Sequence, residues 1–289
     1  MILKKLCFCF FSGTGMTKYI VERLIKEFEK HGASVDCFKI EDAGVRNINF
    51  SEYDMLGIAY PVHSFNAPKI VIDFAKQLPG SNGMSTFITY TAGEEHAVNY
   101  AASDLLIRKI SKKGYKVFYD KLIEMPSNFA VKYRDEKVKS ILNKANECIP
   151  QIAEDIMNLN PCSMKKKLGA KILTVLGRAE WPGARFAGKF FYAGKNCVRC
   201  GKCVSNCPNK NIVMNEPRPF RTGEAGGPGQ DQLQKQAAGP GRNKKPIGFK
   251  WRCGLCMRCV YICPQKAISV RRPLRFIRFD KWYDPELFK

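Results

Sequence analysis

The sequence predicts two domains: an α/β unit with a five-stranded, doubly wound parallel sheet, then a small cysteine-rich α+β unit. Three observations carry this. Strand-like and helix-like segments alternate through the first 160 of the 289 residues. The alternation stops at Pro161. Beyond it, one four-cysteine spacing occurs twice, over Cys197 to Ile212 and Cys253 to Ile268. Strands that alternate with helices imply a parallel sheet, because a parallel neighbour is reached only by a long crossover.

The elements follow in order. "KKLCFCFFS" is a continuous apolar run, too short for a helix and suited to a strand buried on both faces. "MTKYIVERLIKEFEKHG" sets Ile20, Leu24 and Phe28 at helical spacing and stops at Gly32. "SVDCFKI" and "YDMLGIAYPV" read as the second and third strands, "APKIVIDFAKQL" as a helix and "STFITYTAG" as the fourth strand. A helix from Ala97 to Lys112 ends at Gly114, and "YKVFYDKLIEM" is the fifth strand. "DEKVKSILNKANECIPQIAEDIMN" closes the unit, and Pro150 is expected to break or kink its helix. Ligands of such a sheet belong at the carboxyl ends of its strands, near the switch in strand order.

Residues 161–194 read as a basic connector. Leu168, Ile172, Val175 and Leu176 share one helical face with lysines on the others. This face is expected to pack across the two domains, with a peripheral membrane contact as the alternative. Residues 195–289 form the second domain. Within it, 215–246 is rich in Gly and Pro and holds one aromatic residue, Phe220. That composition does not offset the entropy of folding, so an unstructured insertion is expected.

The net charge of +22 is uneven: residues 1–155 carry 21 Lys and Arg against 19 Asp and Glu, residues 156–289 carry 27 against 7. The 13 cysteines do not read as a secreted disulfide framework, because no signal-peptide pattern opens the chain. Nor does any apolar run approach the roughly 20 residues of a membrane span. The expected compartment is the cytoplasm, with thiols kept reduced.

Each cysteine run has the form C-x2-C-x2-C-x3-C-P, ending at Pro208 and Pro264. Zinc sites use cysteines as two separated pairs, whereas this run is the bacterial iron–sulfur pattern. In two-cluster ferredoxins the fourth cysteine of each run serves the other cube. That rule assigns Cys197, Cys200, Cys203 and Cys263 to one [4Fe–4S] cluster, and Cys253, Cys256, Cys259 and Cys207 to the second. Ile212 and Ile268, five residues past each run, are expected to lie over the clusters. Cys7, Cys9, Cys37, Cys148 and Cys162 read as non-ligands.

"SGTGMT", Ser12 to Thr17, joins the first strand to the first helix. It is neither a Walker A loop nor G-x-G-x-x-G. Hydroxyls at Ser12, Thr14 and Thr17, with Gly13, Gly15 and Met16 between them, suit a terminal phosphate held at a helix N-terminus. This pattern resembles the flavodoxin phosphate loop, whose ligand is FMN. The resemblance implies that "YPVHSFNAP" and "TAGEEH" hold the flavin ring. Tyr60 or Phe65 would stack on it, beside Pro61 and Val62, while Thr91, Ala92 and Gly93 meet its polar edge. Asn128 in "MPSNF" would be a further neighbour. His63 reads as an exposed loop histidine, with proton donation to reduced flavin as the alternative.

Over 1–160 and 195–270 the chain resembles the flavodoxin–ferredoxin fusions of anaerobic microbes. These join a flavodoxin-like FMN-binding domain to a bacterial-type 2[4Fe–4S] ferredoxin domain. The resemblance implies electron transfer between FMN and two [4Fe–4S] clusters, and onward to a redox partner. With bound cofactors counted, the charge falls to about +16, so the expected partners are acidic redox proteins such as ferredoxins or an oxidoreductase. Two other functions compete. One is a flavin-dependent reductase of a small substrate fed by the clusters. The other is a nucleic-acid-binding iron–sulfur protein, disfavoured because no nucleic-acid-binding pattern accompanies the basic half.

Overall fold

The computed structural model describes residues 5–129, 132–215, 246–271 and 282–284. The first unit runs β1 (Lys5–Phe10), α1 (Met16–Lys30), β2 (Ser34–Lys39), β3 (Met55–Pro61), α2 (Lys69–Gln77), β4 (Ser85–Ala92), α3 (Asp104–Ser111), β5 (Lys116–Glu124) and α4 (Asp135–Met157). A sixth strand, β6 (Cys162–Ser163), follows. The sheet order is β2-β1-β3-β4-β5-β6, and every pair is parallel. The five expected strands are present. The sixth is only two residues long, paired to Tyr119 and Asp120, too short to show a period.

Both faces of the sheet are covered, which is why β1 beyond Lys5, and β3, are apolar. Leu6, Phe8 and Phe10 pack with α1 and α4 on one face. Cys7 and Cys9 pack with α2 and α3 on the other. Phe87 meets Phe8 and Phe28 edge-on at 5.0 and 5.6 Å. Gly57 in β3 makes room for them, since a Cβ there would stand 2.3 Å from the Phe87 ring. The expected break at Pro150 does not occur: α4 continues through it to Met157. Its missing N–H is absorbed by a helix whose apolar face is buried along its length. The strand order reverses between β1 and β3, so the loops after β1, β3, β4 and β5 gather at one end of the sheet.

The connector holds α5 (Leu168–Gly177) and α6 (Glu180–Ala187). Lys166 fastens it to the first unit, with Nζ 2.8 Å from both Asp104 Oδ1 and Asp120 Oδ2. Burial raises Asp120, and Lys166 opposes that shift. The apolar stripe does not pack across the domains as expected. Leu168, Ile172, Val175 and Leu176 face outward, 75%, 53%, 57% and 64% exposed. The small side of α5, at Ala170 and Thr174, is the buried one.

The second unit comprises β7 (Phe191–Ala193), α7 (Lys202–Ser205), β8 (Ile212–Met214), β9 (Ile247–Phe249), α8 (Arg258–Tyr261) and β10 (Ile268–Val270). Two antiparallel ribbons, β7 with β10 and β8 with β9, enclose a small core. Ile212 and Ile268 are buried in it. Positions 216–245 of the expected insertion lie outside the described residues. Tyr283 is fully buried in the core of the first unit. Among the described residues no helix is long and apolar enough to cross a membrane.

Candidate redox site

The loop after β1 turns sharply into α1 because Gly15 sits at φ +106°, a left-handed conformation that glycine adopts without strain. Its N–H donates to Ser12 Oγ (3.2 Å). Thr17 turns inward, its hydroxyl hydrogen-bonded to Thr91 Oγ1 at 2.9 Å. That bond ties the glycine loop to the end of β4. Asn128 Nδ2 donates to Thr14 Oγ1 (3.2 Å), tying in the loop after β5.

Ser12, Gly13, Thr14, Met16 and Thr17 thus meet Pro61, Val62, Thr91, Ala92, Gly93 and Asn128 around one cleft. Two expected ring contacts do not line it. Tyr60 is wholly buried, stacked on Tyr90 with centroids 5.8 Å apart and planes at 11°. It lies in the core that β3 shares with α2 and α3, so it is not a flavin platform. Phe65, at φ +64°, gives its carbonyl to Thr174 instead. His63 is half-buried rather than exposed, with its ring edge-on to Phe11 at 6.5 Å. Burial lowers its pKa to about 4, which leaves it neutral.

The donor set suits a phosphate: a glycine turn, the Ser12 and Thr14 oxygens, and the N-terminus of a 15-residue helix. The cleft holds about 100 Å³ and is open to solvent.

All eight motif cysteines are free thiols. Cys203 is raised to about 11, first by burial and then by Cys197, with Cys263 and Cys200 also contributing. Cys253 is raised to about 12 by burial, with Cys256 and Cys207 adding to it. Such thiols stay protonated until a metal takes the proton's place. The two runs also share their backbone. Lys210 and Lys266 have φ of +48° and +45°. Asn211 N–H and Ala267 N–H donate to Cys207 Sγ (3.1 Å) and Cys263 Sγ (3.2 Å). Among the described residues no three His, Cys, Asp or Glu side chains converge as a single metal ion would require.

Residues 196–268 match the 4Fe-4S dicluster domain family. The first unit, by its strand order, has a flavodoxin-like fold, and the dicluster match lies wholly in the second. No curated protein sequence matches it. Among solved structures, a short-chain flavodoxin associated with a non-canonical PDU bacterial microcompartment is 14% identical, over 55% of this chain and 98% of that one, with a TM-score of 0.40. A flavodoxin of Streptococcus pneumoniae TIGR4 is 17% identical over 53% and 98%, with a TM-score of 0.42. Oxidised flavodoxin 2 from Bacillus cereus is 13% identical over 52% and 99%, with a TM-score of 0.40. Scores this low add nothing to the strand order.

The dicluster domain supplies part of the cleft, which no local pattern could announce. Leu255, Cys256 and Met257 line it. A Cβ on Gly13 would stand 2.3 Å from the Cys256 carbonyl oxygen, so the glycine loop and a motif cysteine are in direct contact. Arg258 reaches across the junction. Its Nη2 donates to the Ser12 carbonyl (2.6 Å) and lies 2.5 Å from Glu41 Oε1, while Nη1 donates to the Asn206 carbonyl (3.2 Å). Tyr261 donates to the Asn128 carbonyl (2.8 Å).

The C-terminal segment completes the frame. Trp282 Nε1 donates to the Thr14 carbonyl (3.1 Å), and its ring stacks on Tyr261 at 5.9 Å. Tyr283 N–H donates to Asn128 Oδ1 (2.8 Å), and Asn128 Nδ2 donates to the Tyr283 carbonyl (3.1 Å). The Tyr283 hydroxyl accepts from Tyr133 N–H (2.5 Å) and donates to its carbonyl (3.1 Å). Tyr133 in turn donates to the Gly93 carbonyl (3.2 Å). The loops at Thr14 and Asn128 are thereby joined to residues more than 100 positions away, and the loop at Gly93 is joined to them through Tyr133.

Proposed function

We propose that the protein carries electrons between FMN and two [4Fe–4S] clusters and passes them to an acidic redox protein. The observation that carries this reading is the shared cleft, in which a phosphate-type glycine loop lies directly against Cys256. Ser12, Thr14, Gly15 and the N-terminus of α1 would hold the phosphate, and the loops at Val62, Ala92 and Asn128 would border the ring. Flavin supplies one- and two-electron chemistry, and the clusters supply one-electron transfer. Cys253, Cys256 and Cys259 with Cys207 would hold the inner cluster, beside the cleft. Cys197, Cys200 and Cys203 with Cys263 would hold the outer one.

The outer motif suits a partner. Cys200 is exposed and Val198 is 60% exposed. No Asp or Glu occurs in 181–215 or in 246–271, so this surface attracts acidic proteins and the attraction weakens with salt. The test is anaerobic purification with FMN, iron and sulfide supplied, followed by stoichiometry and EPR after reduction. One FMN and two interacting [4Fe–4S] centres per chain is the expected outcome. Full clusters with no flavin uptake would overturn the relay.

One observation favours a second reading, reduction of a small substrate. A further cleft of about 260 Å³ adjoins Cys253 and is lined by Lys69, Glu180, Trp181, Arg185 and Arg252. Turnover of a small acceptor without any protein partner would select this reading.

A further inference from the structure

Helix α5 is built inside out. The residues it turns to the protein are small: Ala170 and Thr174 are 4% and 2% exposed, and a Cβ on Gly177 would stand 1.9 Å from the Ser64 carbonyl oxygen. The back of the helix is also bonded in place. Asn66 Nδ2 donates to the Thr174 carbonyl (2.6 Å), and Thr174 Oγ1 donates to the Phe65 carbonyl (3.2 Å). The large apolar residues Leu168, Ile172, Val175 and Leu176 stand on the opposite side, each more than half exposed. Their spacing of i, i+4, i+7 and i+8 makes one stripe. A single exposed apolar side chain needs no account, but four on one ten-residue helix do.

The charge beside the stripe has one sign. Lys165, Lys167 and Lys171 are exposed. Between Ile156 and Asn215 the sequence has a single acidic residue, Glu180, and it is half-buried. Lys166 points the other way, into its pair with Asp104 and Asp120. A second copy of the chain on this stripe would bring lysines against lysines. An anionic bilayer surface satisfies both features: apolar side chains enter the acyl boundary while lysines stay among the headgroups. Ten residues span about 15 Å, so the helix lies in the interface and does not cross it.

We infer that the outer face of α5 docks the protein on anionic lipid surfaces. The test floats the full, cluster-loaded chain with vesicles of phosphatidylcholine alone or mixed with phosphatidylglycerol. The wild type floats with the mixed vesicles only, and rising salt releases it. I172E/L176E does not float. K165Q/K167Q/K171Q lowers partitioning about a hundredfold, since each lysine at such a surface contributes about fivefold. Both variants keep the wild-type melting temperature, because the altered side chains face solvent. L176W keeps the stripe apolar, and its added emission shifts to the blue with mixed vesicles.

Three results would overturn the inference. One is no flotation of the wild type with phosphatidylglycerol at low salt, or equal flotation with both vesicle types. Another is flotation of I172E/L176E like the wild type. The third is a wild-type dimer that I172E/L176E splits, which would give the stripe to a second copy.

Discussion

The two cysteine runs share a spacing and a backbone and differ in what surrounds them. Gly201 and Met257 hold equivalent left-handed positions, φ +77° and +60°, ahead of the four-residue helices α7 and α8. Lys202 and Arg258 then occupy the same place in each run. Lys202 is exposed to solvent. Arg258 spans the junction to Ser12 and Glu41. Cys200 is exposed, whereas Cys256 packs against the core of the flavodoxin-like domain. A near-symmetric unit has thus been given one inward end and one outward end, and the difference lies in the residues between the cysteines rather than in their spacing.

The sharpest way to break this comparison is R258M beside K202M. Removing Arg258 strands the Glu41 carboxylate, 7% exposed, and is expected to cost about 3 kcal/mol. K202M should stay within about 0.5 kcal/mol of wild type. Equal losses in thermal melts of the two variants would remove the asymmetry. G13A comes next. Its methyl would press on the Cys256 carbonyl, costing about 2 kcal/mol and weakening FMN in a fluorescence titration. Unchanged FMN affinity and stability would mean that the contact gives way freely.

Smaller effects sharpen the inward end. Y283F removes the hydroxyl that serves both Tyr133 backbone groups. A loss of about 1 kcal/mol is expected, with FMN binding weakened and cluster content unchanged. The smallest effect is a pH dependence from His63. Its folded pKa, about 4, lies below the usual histidine value of about 6.5, so the unfolded chain binds the extra proton between them. The stabilisation is full above about 6.5 and is lost as pH falls through 4, on the order of 1 kcal/mol for a half-buried ring. H63Q should flatten that slope in denaturant titrations, and an unchanged slope would assign it to other groups.

The alternation of elements and both cysteine runs were legible in the sequence because each is a local pattern with a period. What failed was orientation. A strand buried on both faces shows no alternation, so nothing in "YDMLGIAYPV" said that Tyr60 faces the Tyr90 side of the core. The α5 stripe was visible at 168, 172, 175 and 176, but a helical period does not say which face meets protein. The two-residue strand at Cys162–Ser163 carries no pattern. Tyr133, Tyr261 and Tyr283 act through contacts 40 to 150 residues apart, beyond the reach of any window. The glycine loop and the Thr91–Gly93 turn reached the same cleft as expected because strand order alone brings those ends together.

The contact between Gly13 and Cys256 has a thermodynamic consequence. If filling the phosphate site and filling the adjacent cluster site both favour the same placement of these two backbones, each strengthens the other by one common factor. Loss of the inner cluster to oxygen would then also loosen the flavin, and flavin loss would leave the cluster easier to strip. Under that condition the chain would load as a unit and fail as a unit, and a half-equipped form, able to accept electrons but not to hand them on, would be kept scarce.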